Sequence, residues 1–399
     1  MPGLDDALQD ELGPIRTDLA LRAASLAANT AAIRRAEARL NALETTANSE
    51  PPPAPPTQPA PTDPNQLVSG IRMGVNLGKV TKSWSPDKPL LPDGSLDPEY
   101  VRLIKPVAGT LRFMDANRIN NDLDPPAWGE WTKALDWQIE LCNACRSHFW
   151  LNIHYRMTRI NVNQAVSYIR DRLNGGQLIL VEWANELWNG TATDVSRGIK
   201  NELPGVPDDE GGFRQQHQGD RGFQDLWAQK AQAVFDAAKT ADPTCITVLC
   251  TQTANVWVTE RLHDRMTDYD AVGLTTYYGQ RAGRKLPDNA SLDDVFRFIQ
   301  NEIYTREGPK LAESLKFCRD HGKLAVMYEG GQHLAVPGYK HATRANLIKT
   351  LKTAQADPMI NEMYGQMLAL WKDGGGSEYQ CHFDWLDKYG KWGSWGLGE

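Results

Sequence analysis

The chain has 399 residues, 41% of them hydrophobic, and a formal net charge of −7, enough for one large domain plus an appendage. That acidic balance excludes the broad basic surface that holds nucleic acid or anionic membrane, and no apolar run reaches the roughly 18 residues of a membrane span. The N-terminus shows neither a basic stretch nor an apolar core, so no secretory signal is read and synthesis in the cytoplasm is expected.

Leu12, Leu19, Leu26, Ile33 and Leu40 recur every seven residues, flanked by Ile15, Arg22, Asn29, Ala36 and Leu43 on the second edge of the seam. The spacing predicts a coiled-coil helix over 1–46, with Pro14 suited to its first turn, and hence a homo-oligomer. A single amphipathic helix packed on the following domain is the alternative. Residues 47–66 are so rich in proline that they predict an extended linker.

From 67 to 399, strand-like and helix-like segments alternate. The apolar strands are expected at 71–77, 110–114, 149–153, 178–183, 246–251, 271–275, 324–328 and 366–370. Helices are expected between them, among others at 131–145, 163–173, 223–241, 292–303, 310–321 and 343–354. Strands apolar throughout suit a parallel sheet covered on both faces. Eight of them with helical crossovers predict an α/β fold, a (β/α)8 TIM barrel. A doubly wound sheet is the rival, but no glycine-rich nucleotide loop follows an early strand. Long polar segments after the fourth strand, and again over 279–290, would lie on the rim where barrel active sites form.

All thirteen tryptophans fall after residue 80, and aromatic faces are suited both to core packing and to sugar rings. The six cysteines hold one isolated Cys142-Asn-Ala-Cys145, read as ordinary free thiols rather than a metal or redox pair. No histidine pair or carboxylate cluster has metal-binding spacing, so no metal and no cofactor are expected.

Polar groups collect at the C-terminal ends of the expected strands: Arg112 and Asp115, His154, Asn185 with Glu186, Tyr277 with Tyr278, Glu329, and Trp371. Two carboxyls at the mouths of separate apolar strands are costly to bury unless chemistry or binding uses them. Cleavage of a glycosidic bond needs such a pair, one as acid and one as nucleophile or base. Glu182, inside the fourth strand, reads as a buried partner for Arg112 or a lysine. Asn76, His333 and Trp188 stand near the same rim.

With Trp183-Ala-Asn185-Glu186 on strand four, a strand-seven glutamate and a strand-eight tryptophan, residues 70–399 resemble the clan of retaining (β/α)8 glycoside hydrolases that includes cellulase-like enzymes. The resemblance implies Glu186 as general acid/base and Glu329 as nucleophile. It implies that Asn185 contacts the sugar 2-hydroxyl, that Arg112 keeps Glu329 ionised and that Tyr277 or Tyr278 hydrogen-bonds the nucleophile. It further implies that His154 touches sugar hydroxyls and that Trp371 forms the floor of the site. Many members carry a histidine two residues before the strand-six tyrosine, a place held here by Thr276 if that tyrosine is Tyr278, which leaves the choice of tyrosine open. The alternative is a carbohydrate-binding or adhesion module that no longer turns over. Coiled coil, spacer and glycosidase together suggest an enzyme displayed on a phage-like tail and acting extracellularly, as part of a virion, on surface glycans.

Overall fold

A computed structural model describes residues 73–77, 88–114, 119, 124–188, 194–207, 213–217 and 219–383. The expected coiled coil and proline linker, as well as Asp115, lie outside the described residues.

Seven parallel strands run in sequence order: β1 Val75–Asn76, β2 Thr110–Arg112, β3 His148–Ile153, β4 Ile179–Trp183, β5 Ile246–Cys250, β6 Ala271–Tyr278 and β7 Leu324–Gln332. The eighth position is taken by segment 379–383. It bridges in parallel from Gln380 to Met327 on β7 and from His382 to Val75 on β1. Backbone bonds on both sides seal it, Cys381 N–H to Met327 O at 2.7 Å and His382 N–H to Gly74 O at 2.9 Å. The result is a (β/α)8 barrel with helices outside the strands.

The expected eighth strand at 366–370 is corrected: those residues belong to the helix Met359–Asp373. Its buried side chains Ile360, Met363, Tyr364, Met367, Leu368 and Trp371 follow helical spacing and pack on the outer face of the barrel. A short apolar run fits either element, and here the longer period wins. The true closing segment carries Gln380 and His382, which disguise it.

Strand alternation divides two cores. Trp150, Leu180, Val248, Cys250, Ala271, Val326, Tyr328 and Cys381 fill the barrel interior, while Phe149, Leu151, Ile153 and their counterparts meet the helices. The inward phase of β2 carries Arg112, and that of β4 carries Glu182. Helices begin and end on local signals. Ser291 and Asp294 form a capping box for Leu292–Glu302, and Arg146 stops Trp128–Cys145 with φ +56°. After β4 a short antiparallel ribbon, Val206–Pro207 with Phe213–Arg214, occupies the long rim insertion. No described helix is long and apolar enough to cross a membrane.

Candidate active site

The barrel mouth is organised around Arg112, whose side chain is fully buried. Its Nε and Nη2 donate to the two carboxylate oxygens of Glu182, each at 2.8 Å. Nη2 also donates to Asn185 Oδ1 at 2.8 Å, and Nη1 donates to Asn76 Oδ1 at 2.7 Å and Glu329 Oε1 at 3.1 Å. Glu182 accepts a further bond from Trp150 Nε1 at 2.8 Å. Asn76 donates through Nδ2 to Tyr328 O at 2.7 Å. Arg112 also lies over the Tyr328 ring, 5.1 Å from its centroid. Each N–H of the guanidinium meets an oxygen, so Glu329 and Asn185 are both oriented by one rigid fork.

Glu329 reaches the mouth through a bulge in β7. Leu274 pairs with Met327, then Thr275 pairs with Glu329, so Tyr328 is the extra residue. Strict alternation from inward Val326 and Tyr328 would turn Glu329 toward the helices. The bulge re-aims it, a common use of bulges near sites. Tyr277 Oη donates to the second oxygen, Glu329 Oε2, at 3.0 Å.

Tyr278 is corrected as a candidate hydrogen-bond partner of Glu329 in the substrate site. It is fully buried on the outer face of β6, with its ring 5.5 Å from that of Tyr364. Adjacent strand residues point to opposite sides, so only one of the two tyrosines can face the mouth. Thr276 is likewise outward, bonded to Met327 Sδ. Trp371 is corrected in the same way. It is buried in the helix Met359–Asp373 and donates to Ser377 O at 2.9 Å, ahead of the closing segment, so it floors no site. The tryptophan that follows that segment in sequence is Trp385, outside the described residues.

Glu186 lies three residues past β4, half-buried, on backbone with φ +42°, and buried Ala184 stands at φ +59°. Non-glycine residues in this region carry strain of about 1–3 kcal/mol, which surrounding contacts must overcome. His154 follows β3 directly; it is buried, and its Nδ1 accepts from the Arg156 N–H at 3.2 Å. That bond places the ring proton on Nε2.

Glu329 is only 5% exposed, and its carboxyl is pushed up to about 8. Burial is the main cause, and the charge of Glu186 is the next. Arg112 and Tyr277 act in the opposite direction but are outweighed. Arg112 thus acts toward the Glu329 anion without outweighing burial.

Sequence reasoning passed over Trp150 as a support of this network and gave Asn76 little weight. A polar residue closing the first apolar strand was the available signal for Asn76. Nothing in the sequence marked Trp150 apart from other core tryptophans. Among the described residues no three His, Cys, Asp or Glu side chains gather as a metal ion would need.

No family model matches the chain, and no curated protein does. Among solved structures it is similar to an α-L-arabinofuranosidase from Thermotoga maritima, with 13% identity, TM-score 0.47, and coverage of 81% of this chain and 66% of that one. It is also similar to GH10 from Paenibacillus barcinonensis, with 13% identity, TM-score 0.41 and coverage of 80% and 85%. A β-glucuronidase from Bacteroides uniformis gives 13% identity, TM-score 0.40 and coverage of 82% and 33%. The chain thus spans about two thirds of the arabinofuranosidase and one third of the glucuronidase. These are likenesses of architecture, and what this site does follows from its own residues.

Proposed function

We propose that the chain is a retaining O-glycoside hydrolase acting on a poly- or oligosaccharide through Glu186 and Glu329. One observation carries the reading: the carboxyl of Glu329 is held at the barrel mouth by Arg112 and Tyr277, within electrostatic reach of Glu186 from the end of β4. Two interacting carboxyls favour sharing a single proton. Donors on both oxygens of Glu329 favour the anion that must attack, against the burial and the Glu186 charge that raise its pKa.

In the first step Glu329 attacks the anomeric carbon while Glu186 protonates the departing glycosidic oxygen. In the second, Glu186 takes a proton from water, which attacks the same carbon and frees Glu329. A retaining mechanism requires the two carboxyls to lie about 5–5.5 Å apart, whereas an inverting one needs a wider gap that admits water beforehand. Asn185, oriented through its oxygen by Arg112, is assigned to the sugar 2-hydroxyl, and His154 to a neighbouring hydroxyl.

Digestion of a glycan panel with mass-spectrometric readout tests the reading. Wild type should release fragments, and Glu329→Gln and Glu186→Gln should each lower turnover by about 10²–10⁴-fold or more. A slow substrate should leave a sugar esterified to Glu329. Full turnover by Glu329→Gln, or sugar binding with no hydrolysis by wild type, would sink it, the latter in favour of a binding module. On sequence, the heptads of 1–46 and the proline spacer are assigned to oligomeric display of the barrel on a tail-like assembly. A monomeric full-length chain in sedimentation would remove that assignment.

A further inference from the structure

Beside the mouth lies a second feature that the double displacement does not use. A cavity of about 70 Å³ is enclosed by Gln252 and Thr253 after β5, by Thr275–Tyr277 of β6, and by Arg306, Glu307 and Lys310. Tyr277 is shared between the two spaces: it lines the cavity, and its hydroxyl reaches Glu329. The volume exceeds that of a single water and suits one small polyatomic group rather than a sugar ring.

The charges come from an irregularity in the fold. Helices Leu292–Glu302 and Gly308–Asp320 are joined through a π-turn, Ile303–Glu307. Such turns recur at functional sites because they rotate side chains out of the helical repeat. Here the turn and the residues after it bring Arg306 and Lys310 to the cavity wall, with Glu307 paired to Arg306 and 4.0 Å from Lys310. Arg306 also faces buried Glu302 at 3.7 Å, and Arg281 faces Glu302 at 3.8 Å. Among the described residues, the cavity wall thus carries two cations, Arg306 and Lys310, and one carboxylate, Glu307, while Glu302 behind it is faced by both Arg306 and Arg281. In a chain of net charge −7, a partly enclosed cationic pocket is against the overall balance. The amides of Gln252 and Gln280 and the hydroxyl of Thr275 add neutral hydrogen-bonding groups to the wall.

We propose that this cavity receives an anionic substituent of the substrate, a carboxylate or sulfate, so that the enzyme acts on an acidic saccharide. The inference rests on the glycosidase reading above for the reacting sugar, and on the cavity alone for the charge. Arg306 and Lys310 hold the anion by charge-assisted bonds, and Tyr277 separates it from the nucleophile by one aromatic ring.

Matched neutral, uronate-bearing and sulfated oligosaccharides are assayed with wild type, Lys310→Met, Lys310→Arg and Arg306→Gln. Wild type should favour an acidic series, and the uronate and sulfate arms distinguish the two anions. In Lys310→Met and Arg306→Gln the acidic-to-neutral ratio of kcat/KM should fall by about tenfold or more, and Lys310→Arg should largely restore it. Added salt should erode the preference. A wild-type preference for neutral glycans, or an unchanged ratio in both variants, overturns the proposal. If no glycan is cleaved, titration with methyl glucuronoside and with inorganic sulfate decides. Binding weakened about tenfold by Lys310→Met retains the pocket while the glycosidase reading fails. Equal or absent binding removes the pocket itself.

Discussion

The guanidinium of Arg112 meets five oxygens at 2.7–3.1 Å, contributed by Asn76, Glu182, Asn185 and Glu329. A lysine presents three donors from one point and cannot span them. Buried Glu182 would then lose its planar partner, and breaking such a pair costs about 3–5 kcal/mol. Arg112→Lys should lower unfolding stability by that order in a urea titration, and an unshifted midpoint would contradict the network. Tyr277→Phe keeps the ring but removes a donor to Glu329. Since that donor favours the anion, its loss raises the Glu329 carboxyl further above its ordinary 4.5. The acid limb of the kcat/KM profile should therefore move to higher pH, with activity at neutral pH down about tenfold or more. A limb that stays put or moves to lower pH would show that Tyr277 does not govern the nucleophile.

At the scale of elements, β7 shows how one extra residue decides which way a candidate site residue faces. Tyr328 is both the bulge and the aromatic surface under Arg112, and it leaves Glu329 facing the mouth. The strand then runs through Gly331 at φ +118°, where an added Cβ would lie 2.7 Å from Tyr364 Oη. Side chains rarely tolerate that backbone region. Gly331→Ala should cost about 1–3 kcal/mol of stability and reduce turnover by displacing the end of β7. A thermal melt matching wild type would show that this strand end is not constrained. The strand-four glutamate and asparagine were legible because a polar pair closes a run that is apolar apart from Glu182. The bulge was not, because Ala-Val-Met-Tyr-Glu reads as a continuous buried strand in either phase.

At the scale of the whole molecule, closure depends on a segment that does not look like a strand. Gly74 lies where β2 and segment 379–383 converge; an added Cβ would stand 2.1 Å from Gln380 O and 2.4 Å from Thr110 O. Both obstacles are backbone and cannot swing away. Gly74→Ala should therefore lower stability by more than about 3 kcal/mol and abolish activity, read by denaturant unfolding and assay. A stable, active variant would mean that the barrel tolerates an open seam. The chain's own order of apolar runs and polar strand ends determined the (β/α)8 architecture, and it marked Glu186, Glu329, Asn185 and Arg112, because burial period and charge placement are local properties. Only the tertiary structure decided that Tyr277 rather than Tyr278 faces the mouth, that Trp371 belongs to the core, that 379–383 closes the barrel and that Arg306 and Lys310 flank a cavity beside Tyr277. Those outcomes depend on strand phase, a bulge and a π-turn, which are fixed when distant elements pair and leave no periodic trace in the sequence.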